Sequence, residues 1–377
     1  MYNILTLNKI SKNGLDRLDS ELFTCGDAFE NPDAILVRSA SMHEMELSEN
    51  TVAIARAGAG VNNIPIPACS DKGVVVFNTP GANANAVAEL VICSLFLASR
   101  KIAAAIGWCK TLKGEGDNVG KLVEKGKGSF AGPEILGKTL GIVGLGAIGA
   151  KVAESANGLG MDVIAYDPFA KDADVMDVKF VELDEIFANS DYITLHAPLN
   201  DSTRGMINAE SIAKMKDGVR ILNFARGELV ASKDIVDALA SGKAGAYVTD
   251  FPTDEQLGAE GVTALPHLGA STPESEENCA MMAATEVASY LLKGEIKNSV
   301  NLPNTCLASE FAVRTCFIHK ENADEFAAKA EAAAKAAGAE VTSIFTANKK
   351  DMGYTVIDTD KEFDAAVEGA IRVRVIK

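Results

Sequence analysis

The sequence predicts an α/β chain with two doubly wound parallel-sheet domains, the first discontinuous, and a small βαββαβ unit at the C-terminal end. Three observations carry that reading. Short apolar runs alternate with helical stretches from residue 1 to about residue 269. Near the middle, a strand, a turn of pattern G-x-G-x-x-G and a helix follow one another. From about residue 310 the rhythm changes to strand, helix, two strands, helix, strand.

In the first segment, apolar runs at 3–7, 34–38, 52–56 and 73–77 read as parallel strands. They end at Arg38, at the Gly58/Gly60 turn and at the loop from Asn78 to Asn83. Open parallel sheets bind ligands beyond the carboxyl ends of their strands, so these ends should face one crevice. Residues 84–100 contain no helix breaker and read as a buried helix, with Cys93 in the core. Residues 113–137, rich in Gly, Lys and Glu, read as a loop over the domain boundary. Strands follow at 140–143, 162–166, 192–195, 220–224, 246–249 and 262–265. Ser271 and Pro273 start a long helix over 274–292, which returns to complete the first domain. The expected domains are therefore 1–92 with 270–300 (substrate-binding), 93–269 (nucleotide-binding) and 310–377. The last has strands at 311–318, 340–345, 352–357 and 371–376, and helices at 324–337 and 361–370.

The glycine turn identifies the ligand of the middle domain. Gly144 permits the tight turn out of the strand, Gly146 admits a pyrophosphate, and Gly149 lets the helix pack close to the sheet. The helix N-terminus supplies free N–H groups and partial positive charge. The next strand ends in Asp167, 18 residues after Gly149, where a carboxylate bonds ribose hydroxyls and repels the extra phosphate of NADP. The predicted cofactor is NAD, held in a Rossmann-like domain.

Composition bounds the rest. The net charge is −16, against a nucleic-acid partner. The longest apolar runs are too short to span a membrane, and the N-terminus reads as a strand. Seven scattered cysteines show no metal-type spacing, consistent with reduced thiols in a cytoplasmic protein.

Hydride chemistry on a hydroxy acid needs a base, a carboxylate to hold it and a cation for the substrate carboxylate. Of the four histidines, His267 is the best placed base, in P-H-L-G at a strand end. His196 opens the loop to Pro198 and is better suited to flank adenine or ribose. Arg226 follows a buried strand and presents a rigid fork to a carboxylate. Asp250, nearest its strand end, is placed to reach the nicotinamide amide. Asp254 or Glu255, further out, is placed to pair with His267.

These residues resemble the D-isomer-specific 2-hydroxyacid dehydrogenases over most of the chain. The motifs are R-A-G-A-G-V-N-N-I at 56–64, N-T-P-G at 78–81, G-K-T-L-G-I-V-G-L-G at 137–146, L-H-A-P at 195–198, N-F-A-R-G at 223–227 and P-H-L-G-A-S-T at 266–272. The resemblance implies that Arg226 orients the substrate and His267 is the acid–base residue. It places Asp254 where the family has a catalytic glutamate, with Glu255 adjacent, and Thr249 where a nicotinamide-contacting Asp is usual. It further implies that Ala147 and Ile148 lie over the cofactor phosphates. Phe224, Ala225, Arg226, His267 and Gly269 would lie on the nicotinamide side, and Arg38, Ser39, Gly58 and Asn83 would contact substrate. The tail looks like an ACT regulatory domain, in which His319 and Asn322 match an effector-binding pair for L-serine. The implied reaction is oxidation of 3-phosphoglycerate to 3-phosphohydroxypyruvate by a homo-oligomer, dimer or tetramer. The alternatives are reduction of glyoxylate or hydroxypyruvate, or a NAD-sensing binding protein.

Overall fold

The apolar runs of the first segment fold, in the computed structural model, into strands of one parallel sheet. The structure describes residues 1–169 and 177–377. The elements in order are β1 (Tyr2–Leu7), α1 (Lys12–Leu15), β2 (Phe23–Gly26), β3 (Ala34–Val37), β4 (Ala53–Arg56), α2 (Ile66–Asp71) and β5 (Val75–Phe77). The sheet order is β2-β1-β3-β4-β5, all parallel. Strand β2 escapes the sequence reading because only Phe23 of its residues is buried. Strands β3 and β5 are buried throughout, as a sheet covered on both faces requires.

A second unit covers residues 84–272. Its elements are α3 (Ala84–Arg100), α4 (Ile102–Thr111), α5 (Val119–Gly126), β6 (Thr139–Val143), α6 (Ala147–Gly158), β7 (Asp162–Tyr166), β8 (Val178–Phe180), α7 (Leu183–Asn189), β9 (Tyr192–Leu195), α8 (Ala209–Lys214), β10 (Val219–Asn223), α9 (Ser232–Ala240), β11 (Ala244–Thr249) and β12 (Val262–Ala264). The parallel sheet runs β12-β11-β10-β9-β6-β7-β8, so the strand order reverses beside β6. That reversal opens the crevice at the glycine turn.

Three expectations change here. The division between units falls at Asn83/Ala84, not at 92/93, because α3 packs along α6, β10 and β11. Helix α3 is not apolar all round: Asn85, Glu89, Cys93, Phe96 and Arg100 form an exposed stripe, so Cys93 is a surface residue. Residues 113–137 are not one loop. Leu122 and Val123 give α5 a half-buried face. Gly126 admits the Trp108 ring, since a Cβ there would lie 2.3 Å from Trp108 Cζ2.

Residues 273–377 belong with the first sheet. Helix α10 (Pro273–Lys293) packs on β3, β4 and β5 and against α1. Gly14 of α1 makes this close approach possible, because a Cβ there would fall 2.5 Å from Ala280 Cβ. The tail contains β13 (Val313–His319), α11 (Ala323–Ala336), β14 (Val341–Lys349), β15 (Met352–Thr359) and β16 (Ala370–Ile376). They form an antiparallel sheet in the order β14-β15-β13-β16. The helix expected over 361–370 does not form. Phe363, Ala365 and Val367 alternate inward against the Phe317/Phe326 cluster, a period of two that an extended chain satisfies. Gly369, at φ +93°, then turns the chain into β16. The tail is thus βαβββ.

The tail shares one core with α10 and the first sheet: Cys316, Ile318, Tyr354 and Ile376 join Ile4, Phe77, Tyr290 and Leu291. It also supplies side-chain donors to the carbonyls at the end of that helix. Arg374 donates to the Tyr290 and Leu291 carbonyls at 3.1 and 2.9 Å. Arg314 donates to the Lys293 carbonyl at 2.8 Å, and the Tyr354 hydroxyl to that of Gly294 at 2.8 Å. Arg314 is 1% exposed and grips Asp358 with two bonds of 2.7 and 2.8 Å. Removing one partner strands a buried charge. Asp358→Ala should therefore cost about 3–5 kcal/mol of stability, read as a lower urea midpoint; an unchanged midpoint would refute the role of this pair.

Glu286 in α10 is a second buried carboxyl. Its Oε1 accepts the Asn298 side-chain amide at 2.7 Å, its Oε2 has no hydrogen-bond partner among the described residues, and burial pushes it from an ordinary 4.5 to about 8. The fold then binds more protons than the unfolded chain between those values. The Glu286 contribution is present at low pH and is lost as pH rises toward 8. Glu286→Gln should flatten the fall in stability over that window and gain most at its upper end, as denaturation at a series of pH values would show.

Candidate active site

The site of the second unit is built on the turn between β6 and α6. Gly144 takes φ +94° and its N–H bonds the Tyr166 carbonyl at 2.9 Å. A Cβ on Gly144 would lie 2.8 Å from the His196 backbone, and one on Gly149 would lie 2.2 Å from the Gly144 carbonyl oxygen. Gly146, by contrast, faces open space, and α6 starts after it at Ala147 and Ile148 with no side-chain cap. Two glycines are thus needed for packing, while the third leaves a cradle that a Cβ would narrow. Uncapped N–H groups at the start of a helix suit a pyrophosphate. Asp167 closes the turn: its Oδ2 accepts the Leu145 N–H at 2.7 Å and its Oδ1 the Phe169 N–H at 2.8 Å. Each oxygen keeps a lone pair for a ribose hydroxyl. The residues present therefore fit NAD.

His196 follows β9. Its Nε2 lies 3.0 Å from Thr194 Oγ1, and burial pushes its imidazole down to about 4, so it is uncharged at neutral pH. That suits a wall of the nucleotide site and not a proton carrier. Pro198 is exposed beyond it. Phe224 is 6% exposed and belongs to the core that includes α3, so its side chain serves packing; Ala225 is half-buried.

Arg226 and His267 are both exposed, after β10 and β12. Arg226 takes an extended backbone, and its Nη1 donates to its neighbour's carbonyl, that of Ala225, at 2.6 Å. Buried Asn223 shapes this loop: its Nδ2 donates to the Arg226 carbonyl at 2.9 Å and contacts the Tyr247 hydroxyl at 3.3 Å, while its Oδ1 accepts the Ala225 N–H at 3.2 Å. The His267 ring rests on Phe251, with centroids 4.5 Å apart. Asp254 and Glu255 are exposed, and among the described residues neither hydrogen bonds nor pairs with His267. The charge near Glu255 is Lys233. Asp250 is instead turned inward, where its Oδ2 accepts the Gly269 N–H at 3.1 Å. The sequence reading gave Asn223, Tyr247 and Phe251 no role in the site. The signal available for Asn223 was a polar residue closing the buried run Ile221-Leu222 at the end of β10.

In the first unit, Arg38 is half-exposed and pairs with Glu276 of α10 at 2.6 Å. The Ser39 N–H bonds Asn8 Oδ1 at 3.0 Å and leaves the Ser39 side chain exposed. Gly58, at φ +156°, admits the Arg56 guanidinium, whose Nη1 would lie 2.7 Å from a Cβ. Asn83 is half-buried at the end of its loop. In the tail, both candidate effector residues are used in construction. His319 is fully buried, stacked on Phe326 at 4.0 Å and bonded to Thr355 Oγ1 at 3.0 Å, and burial lowers its pKa. Asn322 caps α11, its side chain accepting the Asp324 and Glu325 N–H groups.

Comparison with known proteins assigns the family. The sequence model of the D-isomer specific 2-hydroxyacid dehydrogenase NAD binding domain matches residues 94–271. The chain is 43% identical over 256 residues to hydroxypyruvate reductase of Thermotoga maritima, covering 65% of this chain and 80% of that one. It is 37% identical over 284 residues to D-3-phosphoglycerate dehydrogenase of Archaeoglobus fulgidus, covering 72% of this chain and 52% of that one. The chain thus spans about half the length of that relative. Among solved structures, cofactor(NAD+)-bound 3-phosphoglycerate dehydrogenase of Entamoeba histolytica superposes with a TM-score of 0.62 at 28% identity, over 80% of this chain and 98% of that one. A chain so alike to these proteins in sequence and in fold belongs to the D-isomer-specific 2-hydroxyacid dehydrogenases, which are NAD-dependent enzymes.

Proposed function

We propose that the protein oxidises 3-phosphoglycerate to 3-phosphohydroxypyruvate, the first step of serine synthesis, as a cytoplasmic homo-oligomer. The observation that carries the chemistry is that Arg226 and His267 are both exposed at strand ends of the unit that holds the glycine turn. The Arg226 fork holds the substrate carboxylate in a fixed plane. The His267 imidazole takes the hydroxyl proton as the carbinol becomes a carbonyl, and returns it in the reverse direction. When bound, NAD supplies the hydride acceptor. A substrate anionic at both ends needs a second cation. Arg38 is the candidate in the first unit, with Ser39, Gly58 and Asn83 as further contacts, and Glu276 holds it in the meantime. Support for this substrate comes from relatives named D-3-phosphoglycerate dehydrogenase at 35–37% identity. Support for assembly comes from α4, none of whose residues is buried, Ile106 among them.

The Thermotoga maritima relative, at 43% identity, favours a second reading, reduction of hydroxypyruvate. Steady-state rates with NAD and 3-phosphoglycerate, set against NADH with hydroxypyruvate or glyoxylate, separate the two. A kcat/KM for 3-phosphoglycerate below that for unphosphorylated acids would overturn the first.

Two substitutions test the residues. Arg38→Ala should raise KM for 3-phosphoglycerate by about tenfold or more, the loss of one charge-assisted contact, and change that for hydroxypyruvate little; equal effects would remove Arg38 from the phosphate. Asp167→Ala should weaken NAD binding by about tenfold and narrow the preference over NADP, measured by titrating each cofactor against protein fluorescence.

A further inference from the structure

A loop closes over the C-terminal end of β11 in the second unit, and one carboxylate lies beneath it. Asp250 is 2% exposed. Its Oδ2 accepts the Gly269 N–H at 3.1 Å, and its Oδ1 has no hydrogen-bond partner among the described residues. Burying a carboxylate is costly unless it is bonded. Burial raises the Asp250 carboxyl above its ordinary value, opposed in part by the Gly269 N–H and by nearby His267.

The loop is pressed onto this carboxylate. A Cβ on Gly269 would lie 3.3 Å from Asp250 Oδ2 and 3.4 Å from Val87 Cγ2 of α3, so no side chain separates the backbone from either. The Ser271 N–H bonds the Leu268 carbonyl at 2.9 Å and closes the loop from the other side. His267 stands two residues before Gly269, and the ring it rests on belongs to Phe251, which directly follows Asp250. One dipeptide, Asp250-Phe251, therefore holds the loop by its backbone and the imidazole through a tilted ring contact. Asp254 and Glu255 make no such contact.

We infer that Asp250 is the positioning residue of His267: through the Gly269 N–H it fixes the backbone that aims the imidazole, without touching substrate. The inference rests on the reading of His267 as the acid–base residue. An exposed ring on a short loop keeps a reactive geometry only if its backbone is anchored.

The test uses the full chain with NAD and 3-phosphoglycerate, or NADH and hydroxypyruvate, whichever pair it turns over. Asp250→Ala should lower kcat about tenfold or more, with Kd for NAD, measured by fluorescence, within about twofold of wild type. Asp250→Asn keeps an oxygen that can accept the same N–H and should recover most of the rate. The double variant Asp250→Ala/His267→Ala should be no slower than His267→Ala alone, because the first residue acts only through the second. Effects that multiply in the double variant, an Asp250→Asn as slow as Asp250→Ala, or weaker NAD binding with kcat unchanged would each overturn the inference alone. Wild-type turnover in His267→Ala would overturn the acid–base reading, and this inference with it. If Asp250→Ala proves too unstable, Gly269→Ala tests the same contact: the added methyl should lift the loop and lower kcat, and an unchanged kcat would refute the anchoring.

Discussion

A methyl group on Gly149 would come within 2.2 Å of the Gly144 carbonyl oxygen, so only glycine lets α6 begin so close to the end of β6. That approach determines where the helix N-terminus points. The strand order reverses beside β6, so the uncapped start of α6 opens at the edge where ligands of such sheets bind. Asp167 then reaches back to the Leu145 N–H, so the residue proposed to hold the ribose also holds the turn shut. Binding and folding share these atoms.

The first unit is held by a different constraint. The carbonyls at the end of its long helix α10 accept hydrogen bonds from side chains of the tail sheet. Cationic donors at a helix C-terminus also oppose its negative end. Because Cys316, Ile318 and Tyr354 belong to the same core as Phe77 and Tyr290, a shift of the tail sheet would be felt at α10 and β5. The tail is a structural part of the unit whatever else it does.

The parallel strands and the glycine turn were legible because their signals are local: unbroken apolar runs, and glycines at fixed spacing before an acid. Elements whose signal depends on a partner were not. Strand β2 buries one side chain and pairs with β1 by its backbone. Residues 361–369 contain good helix formers, yet the pattern of Phe363, Ala365 and Val367 has a period of two and fits the sheet they cover. His319 stands at a position that resembles an effector contact, but the ring of Phe326, seven residues on, seals it into the core. In each case the three-dimensional neighbour overrides the local preference.

The same distinction runs through the active site. Arg226 and His267, the proposed substrate-facing residues, are exposed and recognisable by type and place. The groups that bond their loops face the protein. Asn223 bonds the Arg226 carbonyl and Asp250 the Gly269 N–H, both from strand ends and both buried. Such residues contact backbone, which every sequence has, so nothing in the partner's identity reveals them. A carboxylate with a buried, unpartnered oxygen is costly to keep, and that cost makes its role visible. Asp250 carries it beneath the backbone of Gly269, whereas Asp254 and Glu255 stay in solvent and, among the described residues, make no hydrogen bond or ion pair with His267.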